Sequence, residues 1–309
     1  MRRAFVEALT QAAEQDPRVV FLTGDLGYGV FDDFVARFGP RYINAGVAEA
    51  QLVNAAAGLA REGFRPLAYS IASFMTGRPF EQIRFSIGYP SLPVILVGAG
   101  GGYCYSSSGV SHHAPDDFAL MGLVPGMTVV APGDPNEVRA LLPQLLELPG
   151  PSYIRIGKFG EPTYDAESPV KLGHARLLRK GERIAVLTTG EMAPLALDAL
   201  PALAKEGIAP IICQFHTIKP LDTAALKTLA TRVHTLIIVE EAAPSGALFS
   251  GIRDWKQATG CDVRLIRLGP SEDFVLGNPH RETLRRTAGF DTRAIIETCR
   301  AEWPFSRPP

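Results

Sequence analysis

Three stretches contain residue types that could do chemistry. In INAGVAEAQLVNAAAGLA (43–60), Gly46 precedes a helix that opens at about Val47, which puts Glu49 in the first helical turn. A carboxyl group there either faces solvent, favoured by the helix dipole, or is buried and meets a ligand as an acid. Ala55, Ala56, Ala57 and Gly58 follow. Such small residues let another backbone approach, so this helix is expected to pack against a second helix at short distance. In GGYCYSSSGVSHHAPDD (101–117), glycines, serines and a histidine pair follow the apolar run PVILVG. In open parallel sheets ligands bind beyond the carboxyl ends of strands. The same composition also suits a polar surface loop. Arg155 ends the run GPSYIRIG with Lys158 close by, and Arg78 lies in FMTGRPFEQIR. Each arginine could clamp a phosphate or carboxylate, or form a surface ion pair. Phe74 could stack on a ligand or fill the core.

Several familiar chemistries are excluded by spacing. A Ser-His hydrolase would need a G-x-S-x-G elbow, which is absent. The cluster GAGGG (98–102) follows a strand, but the third glycine of a dinucleotide fingerprint would fall on Tyr103. There is no GxxxxGK[ST] phosphate loop and no HExxH. The four cysteines, Cys104, Cys213, Cys261 and Cys299, form no CxxC, so no metal cage is expected from this chain alone.

The elements that must position these residues alternate. Apolar runs at 19–24, 66–71, 93–98, 128–132 and 152–157 read as strands. Helix-like stretches at 47–61, 76–88, 115–122 and 135–148 lie between them, after an amphipathic helix at the N-terminus. The runs are nearly continuous in hydrophobicity, as parallel strands covered on both faces should be. A second set has strands at 183–189, 209–215, 235–240 and 262–268. Its helices are expected at 191–206, 222–231, 246–258, 280–287 and 291–301. The segment between the sets is rich in turn residues and charge. The fold class is therefore α/β, with two doubly wound domains of mainly parallel sheet: 1–165 and 183–309, joined by a linker over 166–182.

Over 309 residues, 46% are hydrophobic and 20% charged, which excludes wholesale disorder. Thirty-one basic and 32 acidic residues nearly cancel, so nothing drives the chain toward nucleic acid or an anionic membrane. No apolar run approaches the roughly 20 residues that span a bilayer. The N-terminal stretch lacks the continuous apolar run of a signal peptide. With scattered cysteines, a reducing, cytoplasmic location is the simplest expectation.

Taken in order, the motifs resemble the C-terminal half of transketolase, in its split, two-subunit form. TGDLG (23–27), INAGVAEAQ, SFMTGRPFEQIR, GVSHHAPDDFALM, MTVVAPGDPNE and GPSYIRIG follow one another at the family's separations. TTGEMAPLALDAL and HTIKPLD (216–222) resemble its small C-terminal domain, so the likeness covers essentially the whole chain. The resemblance implies a thiamine diphosphate enzyme that transfers a two-carbon ketol unit between sugar phosphates. It implies that Glu49 donates to the coenzyme's pyrimidine nitrogen and that Phe74 stacks on that ring. Asp25 and Leu26 would lie near the coenzyme. His112 would contact the sugar and shuttle protons, Arg155 would clamp a sugar phosphate, and Arg78 and Ser108 would complete the substrate site. The small-residue helix would form the subunit contact around the coenzyme.

The family's Gly-Asp-Gly…Asn stretch, which holds Mg²⁺ on the diphosphate, is not matched. Gly24-Asp25-Leu26 with Asn54 imitates it, but Leu26 replaces the second glycine and the Glu49 motif occupies the space between. The resemblance therefore implies a partner N-terminal subunit that carries that motif, in an α₂β₂ assembly in which this chain also self-associates. Ser108 stands where the family usually has an aspartate, and Gly100 where many members have a histidine. EEAAPSGALFSGI (240–252) lacks a usual histidine. The first two departures point to an unusual sugar. An alternative is the β subunit of a 2-oxo acid dehydrogenase first component, which shares the two-domain plan but usually lacks the G-x-S-H-H loop. A non-catalytic scaffold would have no use for Glu49, Phe74 and His112 together.

Overall fold

The computed structural model describes residues 1–158 and 160–304. The first part of the chain runs α1 (Arg2–Gln15), β1 (Val19–Thr23), α2 (Asp32–Phe38), β2 (Tyr42–Asn44), α3 (Glu49–Arg61) and β3 (Arg65–Ile71). Then come α4 (Ala72–Thr76), α5 (Phe80–Gln82), a π-helical turn (Ile83–Gly88), β4 (Ile95–Ala99) and α6 (Asp117–Gly122). β5 (Thr128–Val130), α7 (Pro135–Leu146) and β6 (Ser152–Ile156) complete this part. The second part runs β7 (Arg176–Arg179), β8 (Arg183–Thr188), α8 (Ala193–Ala204), β9 (Ile211–Gln214), β10 (Thr217–Lys219) and α9 (Thr223–Arg232). It ends with β11 (Val233–Val239), α10 (Leu248–Thr259), β12 (Arg264–Leu268), α11 (Arg281–Thr287) and α12 (Thr292–Glu302).

Two sheets result, ordered β10-β5-β6-β4-β3-β1-β2 and β12-β11-β8-β9-β7. Pairing is parallel except where β10 meets β5 and β7 meets β9. In the first sheet, Thr23 aligns with Asn44 on one side and Tyr69 on the other; Ile71 aligns with Ala99, and Ala99 with Ile156. β1 and β4 are buried along their whole length, as strands covered on both faces must be. One face carries the core of Leu52, Val53, Met75, Ile83 and Met121. The other carries Phe5, Leu9, Phe21, Phe34 and Leu142, where α1 and α7 pack together. Helix starts follow local chemistry. Asp134, Asp222 and Asp291 each accept a backbone N–H three residues on, at 2.7–2.9 Å, capping α7, α9 and α12. Gly260 ends α10 in the left-handed region (φ 66°).

The structure departs from the sequence reading at several places, beginning with α2 and β2, which the apolar pattern does not show. The single helix expected over 76–88 is broken, since Gly77 and Pro79 interrupt it, and its last turn is π-helical. The expected linker 166–182 yields 176–179 to the second sheet as β7, an edge strand paired antiparallel to β9. The three-residue β10, from the C-terminal part, adds an edge to the first sheet, where Lys219 Nζ donates to the carbonyls of Gly122 (2.8 Å) and Val124 (2.9 Å). The two parts are thus sewn together, more tightly than a linker between free domains would allow.

Candidate functional site

Apart from Arg155, which lies within β6, the candidate residues of the first part follow the carboxyl ends of parallel strands. Asp25 and Leu26 follow β1, Glu49 follows β2, Phe74 and Arg78 follow β3, the 101–117 segment follows β4, and Lys158 follows β6. β1 and β3 are neighbours although β2 separates them in sequence, so the strand order reverses there. Such a reversal opens a crevice for ligands, and Asp25 and Phe74 flank it.

At one end of the crevice Glu49 begins α3 and is 5% exposed. It is therefore not the solvated first-turn glutamate that its position alone allowed. Its Oε2 accepts from Arg78 Nη1 at 3.0 Å, and the half-exposed Arg78 guanidinium lies 4.1 Å from the Phe74 ring centre. Arg78 thus covers both groups that the resemblance gave to the pyrimidine ring, and it belongs to that end of the crevice. The edge of Phe74 meets the His112 ring, with centroids 5.0 Å apart and planes at 62°. Phe74 is half-buried, with one face open to a flat cationic group, so it is not a core aromatic.

His112 stands near the end of a loop closed at its base by a two-way backbone bridge between Gly102 and Ala114. Its Nδ1 lies 3.0 Å from the Ser111 hydroxyl, and Tyr105 flanks the ring at 5.8 Å. Nε2 has no hydrogen-bond partner among the described residues. Partial burial, with Arg78, His113 and Lys158 nearby, pushes the imidazole below its ordinary value and favours the neutral ring. Lys158 Nζ lies over the Tyr105 ring at 3.8 Å, and partial burial lowers it too. Ser108 is exposed on the turn Ser106–Ser108 of the same loop. Asp25 is exposed and accepts from the Tyr28 hydroxyl (2.6 Å) and the Asn44 amide (3.1 Å), which hold its carboxyl below the usual range. Leu26 is half-buried beside it. Burial pushes the Cys104 thiol up to about 12, so it is no nucleophile.

Arg155 requires a correction. The expected phosphate clamp is 8% exposed, and its donors are committed within the chain. Nε donates to Asp117 Oδ2 at 2.8 Å, Nη2 to Asp117 Oδ1 and to the Ala114 carbonyl, and Nη1 to the Glu241 carbonyl at 3.0 Å. Its guanidinium also lies over Phe118. Asp117, which α6 brings under the loop, takes the arginine first. This partner was not singled out from sequence, although the DD pair in HHAPDD was its signal.

The pyrimidine end fits the implied coenzyme: a buried carboxylate beside an aromatic face that already accommodates one flat, delocalised group. For the diphosphate end, among the described residues no three His, Cys, Asp or Glu side chains gather as metal ligands.

The chain is similar to known proteins along most of its length. Residues 1–159 match the family described as "Transketolase, pyrimidine binding domain", and 173–295 match "Transketolase, C-terminal domain". The chain belongs to the transketolase family. A relative in Clostridium sp. (strain MSTE9), a 6-deoxy-6-sulfo-D-fructose transketolase subunit, is 34% identical over 89% of this chain and 85% of its own. One of the subunits of an apulose-4-phosphate transketolase from Phocaeicola vulgatus is 30% identical over 96% of this chain and 95% of its own. A solved structure titled "Split gene transketolase, inactive beta4 tetramer" superposes with a TM-score of 0.89 at 30% identity, covering 99% of both chains. This transketolase chain is accordingly a transferase subunit of the split type, in a family that depends on thiamine diphosphate, and the dehydrogenase alternative is not favoured. Both relatives are named as subunits of a transketolase, and the solved structure is a tetramer of its β chain. No helix among the described residues is long and apolar enough to cross a membrane.

Proposed function

We propose that this chain supplies the pyrimidine-binding half of a ketol-transfer site. An N-terminal subunit carrying the Gly-Asp-Gly…Asn motif completes it, holding the diphosphate and Mg²⁺, in an α₂β₂ assembly in the cytoplasm. The observation that carries this reading is the unbroken run from buried Glu49 through Arg78 and Phe74 to His112. When bound, thiamine diphosphate supplies the nucleophilic carbon chemistry that lets the bond beside a ketose carbonyl break and re-form. Glu49 would hold the ring nitrogen through its carboxyl, of which Arg78 engages Oε2. Phe74 offers its face to the ring, and Asp25 and Leu26 border the same crevice. His112, neutral in its half-buried setting and open at Nε2, exchanges a proton with substrate hydroxyls.

The substrate is an anionic ketose. The two relatives are named for a sulfo-sugar and a sugar phosphate. With Arg155 committed internally, Lys158 is a cation beside the loop that carries Ser108 and His112. Glu49→Gln, co-expressed with the partner subunit and assayed across a panel of ketose phosphates and sulfonates, should fold normally and lose ketol transfer by at least about a thousandfold. Wild-type-like turnover would remove Glu49 from the site.

A further inference from the structure

The loop that presents His112 belongs to the first part of the chain, yet its base is held by the second. Glu241, at the carboxyl end of β11, is 3% exposed, and its Oε1 accepts the Tyr103 N–H at 2.8 Å. Tyr103 is the first residue inside the Gly102–Ala114 bridge. The Glu241 main chain takes part as well, since its carbonyl accepts from Arg155, which also holds the Ala114 carbonyl. Both strands of the bridge therefore end on the same acidic residue.

Glu241 is itself fixed. Arg281 and Arg285, four residues apart and so on one face of α11, donate to it: Arg281 Nη2 to Oε1 at 2.7 Å and Arg285 Nε to Oε2 at 2.7 Å. Burial alone would raise its carboxyl, but the two guanidinium groups outweigh burial and hold it at about 2. The fit is tight. Gly102 adopts φ +59°, and a Cβ there would come within 2.7 Å of both the Glu241 carbonyl and Oε1. α11 also packs on the turn Ser106–Ser108, and Asn278 Oδ1 lies 3.1 Å from where a Cβ on Gly109 would sit.

We propose that Glu241 is a positioning residue for His112: the C-terminal domain, through this one carboxylate, sets the base of the substrate loop. It acts through the loop on the sugar end of the site, and among its own contacts none reaches Glu49 or Phe74 at the coenzyme end. Its kinetic consequence rests on the function proposed above; its structural consequence does not.

The test separates the two. Glu241→Gln keeps an acceptor for the Tyr103 N–H. Glu241→Ala removes it. Glu241→Asp keeps the charge, which the long arginine side chains can follow, while withdrawing the acceptor from the fixed Tyr103 N–H by about one methylene, and so remains informative should the alanine variant fail to fold. In the isolated chain, the His112 imidazole titration is followed by NMR. It should stay put in Glu241→Gln and rise toward 6.5 in the alanine and aspartate variants as the loop opens and the ring is hydrated. In the complex with its partner subunit, the alanine and aspartate variants should raise the KM for the ketose by at least about tenfold. The thiamine diphosphate half-saturation should not change, and Glu241→Gln should restore most of the KM. Unchanged His112 titration in both the alanine and the aspartate variant would overturn the proposal whatever the enzyme's activity. So would a parallel loss of coenzyme affinity, which marks general damage. The expected rise of the His112 titration in these variants, with a wild-type complex that transfers no ketol unit, would support the positioning role and overturn the proposed function instead.

Discussion

At the scale of single residues, burial and partner decide what a charged side chain can do. Arg155 and Lys158 lie three residues apart, but Arg155 is closed in by Asp117 while Lys158 stands half-exposed over Tyr105. Removing one member of a buried pair strands the other, at a cost of about 3–5 kcal/mol. Arg155→Ala should therefore lower the denaturation midpoint sharply, and any loss of activity should track loss of folded protein. Lys158→Ala should raise the KM of anionic ketoses more than that of neutral ones; equal effects on both would remove it from anion recognition. From sequence the two cations looked alike, because the residue that distinguishes them, Asp117, is 38 positions away from Arg155. Glu49 was more legible. Its first-turn position follows from the glycine before it and the apolar pattern after it, although its burial depends on the chain around it.

At the scale of elements, α3 has two faces with different tasks. Leu52, Val53, Ala56 and Ala60 are buried in the sheet's core, while Val47, just before the helix, is 76% exposed and Gln51, Asn54 and Gly58 face outward. A Cβ on Gly58 would meet nothing within 4 Å. Within this chain alone, Gly58→Leu should be harmless or mildly stabilising, by about 0.5–1 kcal/mol from helix propensity. If the outward face meets another subunit's helix at short distance, the same change should abolish assembly and ketol transfer. Analytical ultracentrifugation of the variant beside a thermal melt tests this. A normal multimer would mean that the small residues serve no contact. The exposed Phe85 and Tyr89, on and just after the π turn that packs on α3, extend this outward face.

At the scale of the whole molecule, the two sheets are joined by more than a linker. β10 crosses into the first sheet, the Ala131 N–H donates to the His216 carbonyl at 2.7 Å, and Glu241 holds the Tyr103 N–H. His216 is fully buried at this junction, and burial, reinforced by Arg176 and His174, pushes its imidazole down to about 4 from an ordinary 6.5. Because its folded-state value is depressed, the unfolded chain takes up the proton first as pH falls. The stabilisation is present above pH 6.5 and lost between 6.5 and 4, to the extent of about 3 kcal/mol. Denaturant titrations across that window should show the decline in the wild type and a flatter profile in His216→Gln. An equal slope in both would place the acid sensitivity elsewhere.

The alternation of apolar runs and helical periods was enough to read two α/β units, their parallel strands, and the strand end from which the His112 loop leaves, because burial on both faces demands continuous apolar strands. Motif order was enough to read the family. Short edge strands were not legible: β2, β7 and β10 have three or four residues, too few to show a period, and they form because a neighbouring strand offers hydrogen bonds. Nor could spacing reveal that Arg155 is committed internally, that Arg78 caps Glu49, or that a glutamate of the second domain holds the loop of the first. Those facts depend on which distant groups meet in a dry interior, where a charge takes the nearest partner of opposite sign, and only the folded chain determines that.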